Sequence, residues 1–224
     1  GFVGAGDALH RPVYSFTNAA CPFYDFYFEN PLIPDAATQK ATMKSCRAYY
    51  DTTSEWLTKK PAGTVVIAAS DYYWTYRRDA AVAAGNGGSS DDPTWVSTQL
   101  VDGLHNAIMT LERAHHHVVV IMPTPVFYYP YKWSLKSCST FSILTGHCKT
   151  EMPLNFALDR QTPARLGIEA AIVGTSATTL NLSQILCPNE MCGTDNNIIW
   201  TVDGTHLSTT TSRFLTPNLI KALR

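Results

Sequence analysis

Charge is scarce in this chain. Of its 224 residues only 16% are Asp, Glu, Lys or Arg, and the net charge is -1, so no polybasic face argues for nucleic acid or anionic lipid. A small or neutral molecule is the expected partner. Long apolar runs are missing too: none approaches the roughly 18 residues of a membrane span, and no signal peptide is present. The chain reads as soluble, already trimmed of any leader. No internal repeat is apparent and the length suffices for one core, so a single domain over residues 1–224 is expected.

C-x-x-C pairs are also absent, which speaks against zinc among the six cysteines. Cys187 and Cys192 flank Pro188-Asn189-Glu190-Met191, Cys138 and Cys148 bracket a polar loop, and Cys21 and Cys46 are left to pair. Such local pairing, Cys21-Cys46, Cys138-Cys148 and Cys187-Cys192, is the simplest connectivity that six cysteines allow. Three disulfides imply an oxidising compartment, periplasmic or extracellular; six reduced core thiols are the alternative. Asn181-Leu182-Ser183 is a glycosylation sequon that matters only in a eukaryotic secretory host.

What is present alternates. Gly1 to Arg11 has apolar residues at helical spacing, weakened by Gly4 and Gly6, and Val13 to Thr17 reads as a strand ending in the small residues Asn18-Ala19-Ala20. After an aromatic-rich loop, residues 36 to 59 read as a helix with Met43, Cys46, Tyr50 and Leu57 on its inner face. Thr64 to Ala69 is an almost wholly apolar strand, of the kind buried on both faces of a parallel sheet, and ends in Ser70-Asp71-Tyr72-Tyr73-Trp74. The glycines near Gly87 sit in a surface excursion over residues 79 to 93, since nothing after them makes a phosphate loop.

Trp95 to Arg113 is the clearest helix, with Leu100, Leu104, Ile108 and Leu111 on one face. His115-His116-His117 follows. Neighbours on an extended segment alternate sides and cannot all face one metal ion, so these are expected as helix-end histidines near the negative pole of the dipole. A strand over Val118 to Met122, a helix with Leu166, Ala170 and Val173, a short strand over Thr178 to Leu186 and another over Asn197 to Val202 complete the alternation. The order predicts an α/β fold with a mainly parallel sheet covered on both faces.

The last strand runs into Val202-Asp203-Gly204-Thr205-His206-Leu207-Ser208, where Ser208 to Thr211 offers capping hydroxyls to a final helix through Arg213, Phe214, Leu219, Ile220 and Leu223. An Asp and a His three apart on such a loop suit an orienter and base. The carboxylate fixes the imidazole tautomer and steadies the imidazolium formed during proton transfer. An ordinary strand end and a surface histidine are the bland alternative.

The segments Phe16 to Pro22, Val65 to Ala69, Val118 to Pro125, Cys187 to Cys192 and Val202 to Ser208 together resemble the SGNH hydrolase fold. More narrowly, they are similar to the SGNH domains fused behind acyltransferase family 3 membrane domains in bacterial enzymes that O-acetylate cell-surface polysaccharides. The resemblance implies a three-layer α/β/α sandwich in which Asp203 and His206 complete a Ser-His-Asp triad. It implies a serine in a G-D-S-[HL] turn after the first strand. Here the nearest string is Gly6-Asp7-Ala8-Leu9, with alanine at the serine position. Either Ala8 marks an inactivated nucleophile turn, or Gly1 to Arg11 belongs to the helix after the turn and the serine lies upstream of Gly1. Only twelve residues separate Ala8 from Cys21, tight for a helix plus a strand that crosses back, which favours the second account.

On that reading the backbone N–H groups near Ala20 and Cys21 are candidate oxyanion donors, with Ser70 or Tyr72 as side-chain candidates. Trp74, Tyr128, Tyr129 and Trp133 are candidates for a sugar-stacking rim, or else an aromatic loop tucked on the domain. The expected partners are a polysaccharide acceptor and an acyl donor delivered by a membrane acyltransferase domain of the same full-length protein, with no cofactor, no metal and no nucleic acid. The setting is the bacterial envelope, periplasmic or extracellular. Rival readings are a catalytically dead glycan-binding module that keeps the fold, and a secreted lipase-like esterase.

Overall fold

In the computed structural model the described residues are 1–18, 21–28, 35–75, 81–82, 89–90, 92–127, 129–132, 138–145, 147–193 and 206–224. Among them the elements run α1 (Phe2–Ala8), β1 (Tyr27–Phe28), α2 (Ala36–Thr58), β2 (Thr64–Ile67), α3 (Tyr72–Thr75), β3 (Ala81–Val82) and β4 (Ser89–Ser90). There follow α4 (Pro93–Arg113), β5 (His117–Ile121), α5 (Thr140–Leu144), β6 (Glu151–Pro153) and α6 (Leu154–Ala171). The chain ends with β7 (Thr178–Leu180), α7 (Ser183–Leu186), a 3-10 turn at Pro188–Glu190, β8 (Met191–Gly193), α8 (Thr209–Phe214) and α9 (Thr216–Ala222). Two compact units share these residues: 16–123 with 161–180, and 1–15 with 124–160 and 181–224.

The first of these units holds a three-stranded parallel sheet in the order β2-β5-β7. Val65 pairs with Val118 and Val119 with Thr178. In the middle strand, β5, the central residues Val118, Val119 and Val120 are buried, because a central parallel strand meets apolar neighbours on both faces. The α/β class with a parallel sheet and covering helices is thus the observed one.

Both long helices form where the apolar period places them. Asp35 caps α2, its Oδ1 accepting the N–H groups of Ala37 and Thr38 at 3.0 and 3.2 Å, and Cys46, Tyr50 and Thr53 face inward. Asp92 caps α4 by accepting the Thr94 N–H at 2.9 Å, ahead of Pro93 in the first turn. Leu100, Leu104, Ile108 and Leu111 are fully buried.

Several sequence expectations change. Val13 to Thr17 forms no strand and is exposed; Phe16 instead lies against Trp56 of α2 at 4.9 Å, and Tyr49 donates its hydroxyl to the Phe16 carbonyl at 3.1 Å. Side-chain contact with a helix replaces ladder pairing there. On α6 the buried stripe runs Leu154, Ala157, Gln161, Ala164, Ile168 and Ala171, while Leu166 and Ala170 are exposed, as is Val173 two residues past its end. The helical period is right but the inward stripe is the opposite one. The excursion after residue 79 contributes β3 and β4; β3 pairs antiparallel with β1 on one side and with β4 on the other. The strand expected over Thr178 to Leu186 stops at Leu180, where the Asn181 side chain accepts the Ser183 N–H at 3.0 Å and starts α7. The strand expected over Asn197 to Val202 lies outside the described residues.

In the other unit α1 packs on α9, and Arg11 Nη1 donates to the Leu223 carbonyl at 3.1 Å. β6 pairs antiparallel with β8, with Met152 opposite Cys192. All three expected disulfides are present, Cys21–Cys46, Cys138–Cys148 and Cys187–Cys192.

Candidate active site

His206 is exposed and stands two residues before the cap of α8. Ser208 is that cap, its Oγ accepting the Thr211 N–H at 3.1 Å and lying 3.1 Å from Thr211 Oγ1. Thr211 is buried, so this stitch is anchored from below and fixes the backbone that carries the imidazole. Asp203 lies outside the described residues.

In the same unit the start of α1 lies against α8. A Cβ at Gly1 would stand 2.6 Å from the Ser212 carbonyl and 2.7 Å from its hydroxyl; only glycine permits that approach. Ser212 is one helical turn from the Ser208 cap. The Gly6-Asp7-Ala8-Leu9 string, by contrast, is helical up to Ala8, which is exposed at the last position of α1. It does not form a strand-to-helix turn.

The C-terminal edge of the parallel sheet carries polar groups. Ser70, exposed, donates to Asp71 Oδ1 at 3.4 Å, and the Asp71 carbonyl accepts the Trp74 N–H at 2.9 Å. Asp71 is buried. A buried carboxylate four residues after β2 is a functional candidate that the sequence reading did not single out; β2 itself is only partly buried from Thr64 to Val66, against the expectation of a strand buried on both faces. The side chain of Tyr72 lies outside the described set.

Trp74 is not a rim residue. It is 8% exposed and packs edge-on to Tyr24 at 6.2 Å, and a Cβ at Gly167 would fall 2.0 Å from its ring. The bare Gly167 backbone makes the slot that draws the indole inward. Burial pushes the Tyr24 phenol well above its ordinary range, against the smaller opposing effect of its hydrogen bond with Trp74. Cys21 is also corrected as an oxyanion donor: its N–H already donates to the Asn18 carbonyl at 3.2 Å, and its sulfur is bonded to Cys46. Ala20, Tyr128 and Trp133 lie outside the described residues, whereas Tyr129 is exposed ahead of Pro130.

Among the described residues no group of three His, Cys, Asp or Glu side chains has metal-holding geometry. The three histidines separate: His115 and His117 are exposed and His116 is buried. The Gly63 N–H donates to His116 Nδ1 at 3.2 Å, so the proton sits on Nε2, which donates to the Leu57 carbonyl at 2.9 Å. That imidazole is a structural bridge.

A family model described as an SGNH domain fused to AT3 domains matches residues 1–221. No curated protein and no solved structure matches the chain.

Proposed function

The chain belongs to the family of SGNH domains fused to AT3 domains, and from that premise we propose that it moves an acetyl group onto a hydroxyl of a cell-surface carbohydrate, or cleaves such an ester. The family supports acyl transfer or ester cleavage as the chemical class; the carbohydrate and the steps below are the proposal. The three disulfides belong to a domain that matures outside the reducing cytoplasm, consistent with an acceptor in the bacterial envelope. The acyl donor is delivered by a membrane acyltransferase domain of the same full-length protein.

His206 removes the proton of a serine hydroxyl as the oxygen attacks the ester carbonyl, and Asp203 holds the imidazole tautomer. Collapse of the tetrahedral intermediate expels the donor alcohol with the proton from His206. The acyl-serine is then attacked by a sugar hydroxyl or water, whose proton His206 takes and returns to the serine. On this proposal the serine belongs to the turn that leads into α1 rather than to the position of Ala8. One observation carries that placement: Gly1, at the head of α1, packs on Ser212 of α8, the helix that His206 leads into.

A fluorophosphonate probe applied to the full-length gene product, followed by peptide mapping, tests the reading. Labelling of a serine in the turn before α1 is expected. An unlabelled protein that still binds glycan would identify a dead binding module instead, and turnover of long-chain lipid esters but not acetylated glycans would identify a lipase-like esterase.

A further inference from the structure

The net charge of -1 averages over a local asymmetry on α2. Between Asp35 and Asp51 the chain carries no Asp or Glu, yet Lys40, Lys44 and Arg47 fall there, spaced so that they share one face of the helix. Like charges at these spacings weaken a helix rather than support it. Only Arg47 is answered. Its Nη1 donates to Asp25 Oδ1 at 2.7 Å, its Nε donates to Asp51 Oδ2 at 3.0 Å, and its Nη2 holds the other oxygen of Asp51. Lys40 and Lys44 are exposed and have no acidic partner among the described residues.

These groups line one cleft. Tyr27, Lys40, Met43, Lys44, Arg47 and Asp51 surround a space of about 430 Å³, and all of them belong to the same compact unit. Tyr27 reaches the cleft from β1, where it pairs with Val82 of β3. The Arg47 guanidinium lies 5.5 Å from the centre of its ring and 5.0 Å from that of Tyr50, so one braced cation fixes both Tyr27 and Asp51 in the wall. Each Asp51 oxygen accepts from Arg47 and keeps a lone pair for another donor. The cleft therefore offers apolar surface, two ammonium groups and a carboxylate acceptor. A bare inorganic anion suits the lysines but meets repulsion at Asp51. A sugar acid suits all three, with its carboxylate at the lysines, a hydroxyl at Asp51 and its C–H face against Tyr27 and Met43.

We propose that the cleft on α2 binds an acidic sugar unit of a glycan, a uronate whose carboxylate lies between Lys40 and Lys44 while one of its hydroxyls donates to Asp51. The bound carboxylate offsets the repulsion between the two lysines, which the fold leaves unanswered. The choice of a sugar rests on the carbohydrate reading above, whereas binding itself needs no turnover and a dead module would bind equally.

The 224-residue chain is titrated calorimetrically with an oligogalacturonate, with the methyl ester of that oligomer and with inorganic phosphate. Binding of the free acid is expected, weakened by salt, with the ester and phosphate much weaker. The Lys40→Gln, Lys44→Gln variant weakens binding about tenfold and Tyr27→Leu about threefold, both with unchanged circular dichroism. The Lys59→Gln, Lys60→Gln variant, which removes two charges just past the end of α2, leaves binding as it was. Absence of binding overturns the proposal, as does equal binding of the ester or of phosphate, undiminished binding by the Lys40, Lys44 variant, or an equal loss in the Lys59, Lys60 variant. A full-length protein that binds the oligomer but takes no fluorophosphonate label keeps this site and removes the acyl-transfer reading.

Discussion

His116 accepts a hydrogen bond from the backbone of Gly63 and gives one to the backbone of Leu57, at 3.2 and 2.9 Å. One neutral imidazole thereby closes the end of α2 and the approach to β2. His116→Ala takes this partner from the Gly63 N–H, leaves the Leu57 C=O with only the Lys60 N–H, and opens a cavity where a buried side chain stood, so urea unfolding shows a loss of about 2–4 kcal/mol. His116→Phe, which fills the space without polar atoms, recovers little of that loss.

Gly167 and Trp74 form a fitted pair. Gly167→Ala drives a methyl group into the indole, 2.0 Å from its nearest carbon, and costs about 2–3 kcal/mol of unfolding free energy. Adding Trp74→Leu to Gly167→Ala costs less than the two changes summed, because the ring that clashes is gone; a double-mutant cycle with no coupling contradicts the fit.

Hydrogen bonds from Thr38, through its side chain and then its backbone, and from the Ala37 N–H hold the Asp35 carboxyl below its ordinary value of 3.8. The group favours the fold in its charged form. Its contribution is therefore present above the unfolded value and is lost as pH falls through the lower folded one. Asp35→Asn keeps a capping side chain that does not titrate, so its stability falls less than that of the wild type between pH 5 and pH 2, read by urea melts across that range.

His206→Ala is expected to lower acetyl-ester turnover in the full-length protein by on the order of 10²–10⁴-fold. The side chain is exposed, so the melting temperature stays close to wild type. Undiminished turnover removes His206 from the mechanism.

Local patterns carried far. The spacing of Leu100, Leu104, Ile108 and Leu111 announced α4 and its inner face together, because nothing in that helix competes for the stripe. The run Val118 to Met122 announced a strand, and the hydroxyls of Ser208 to Thr211 announced a cap that Ser208 supplies. On α6 and just past its end the same reasoning chose Leu166 and Val173 for the core, whereas smaller residues at Ala164 and Ala171 let the helix sit close to its neighbours. Hydrophobicity alone does not say which of two stripes fits a narrow space.

The candidate site divides along the same line. His206 on a loop before a capped helix was legible from residue types, and so were the disulfide partners, since both depend on residues near each other in sequence. The inward turn of Trp74, the commitment of the Cys21 N–H to Asn18 and the buried bridge at His116 were not. Each is decided by a group far away or by backbone geometry, such as Gly167 at 93 positions' remove from Trp74. The chain by itself determined periods, caps and chemistry-bearing types. Tertiary packing alone decided which face is buried and which polar group is already spent, because burial and hydrogen bonding belong to the neighbours a residue meets.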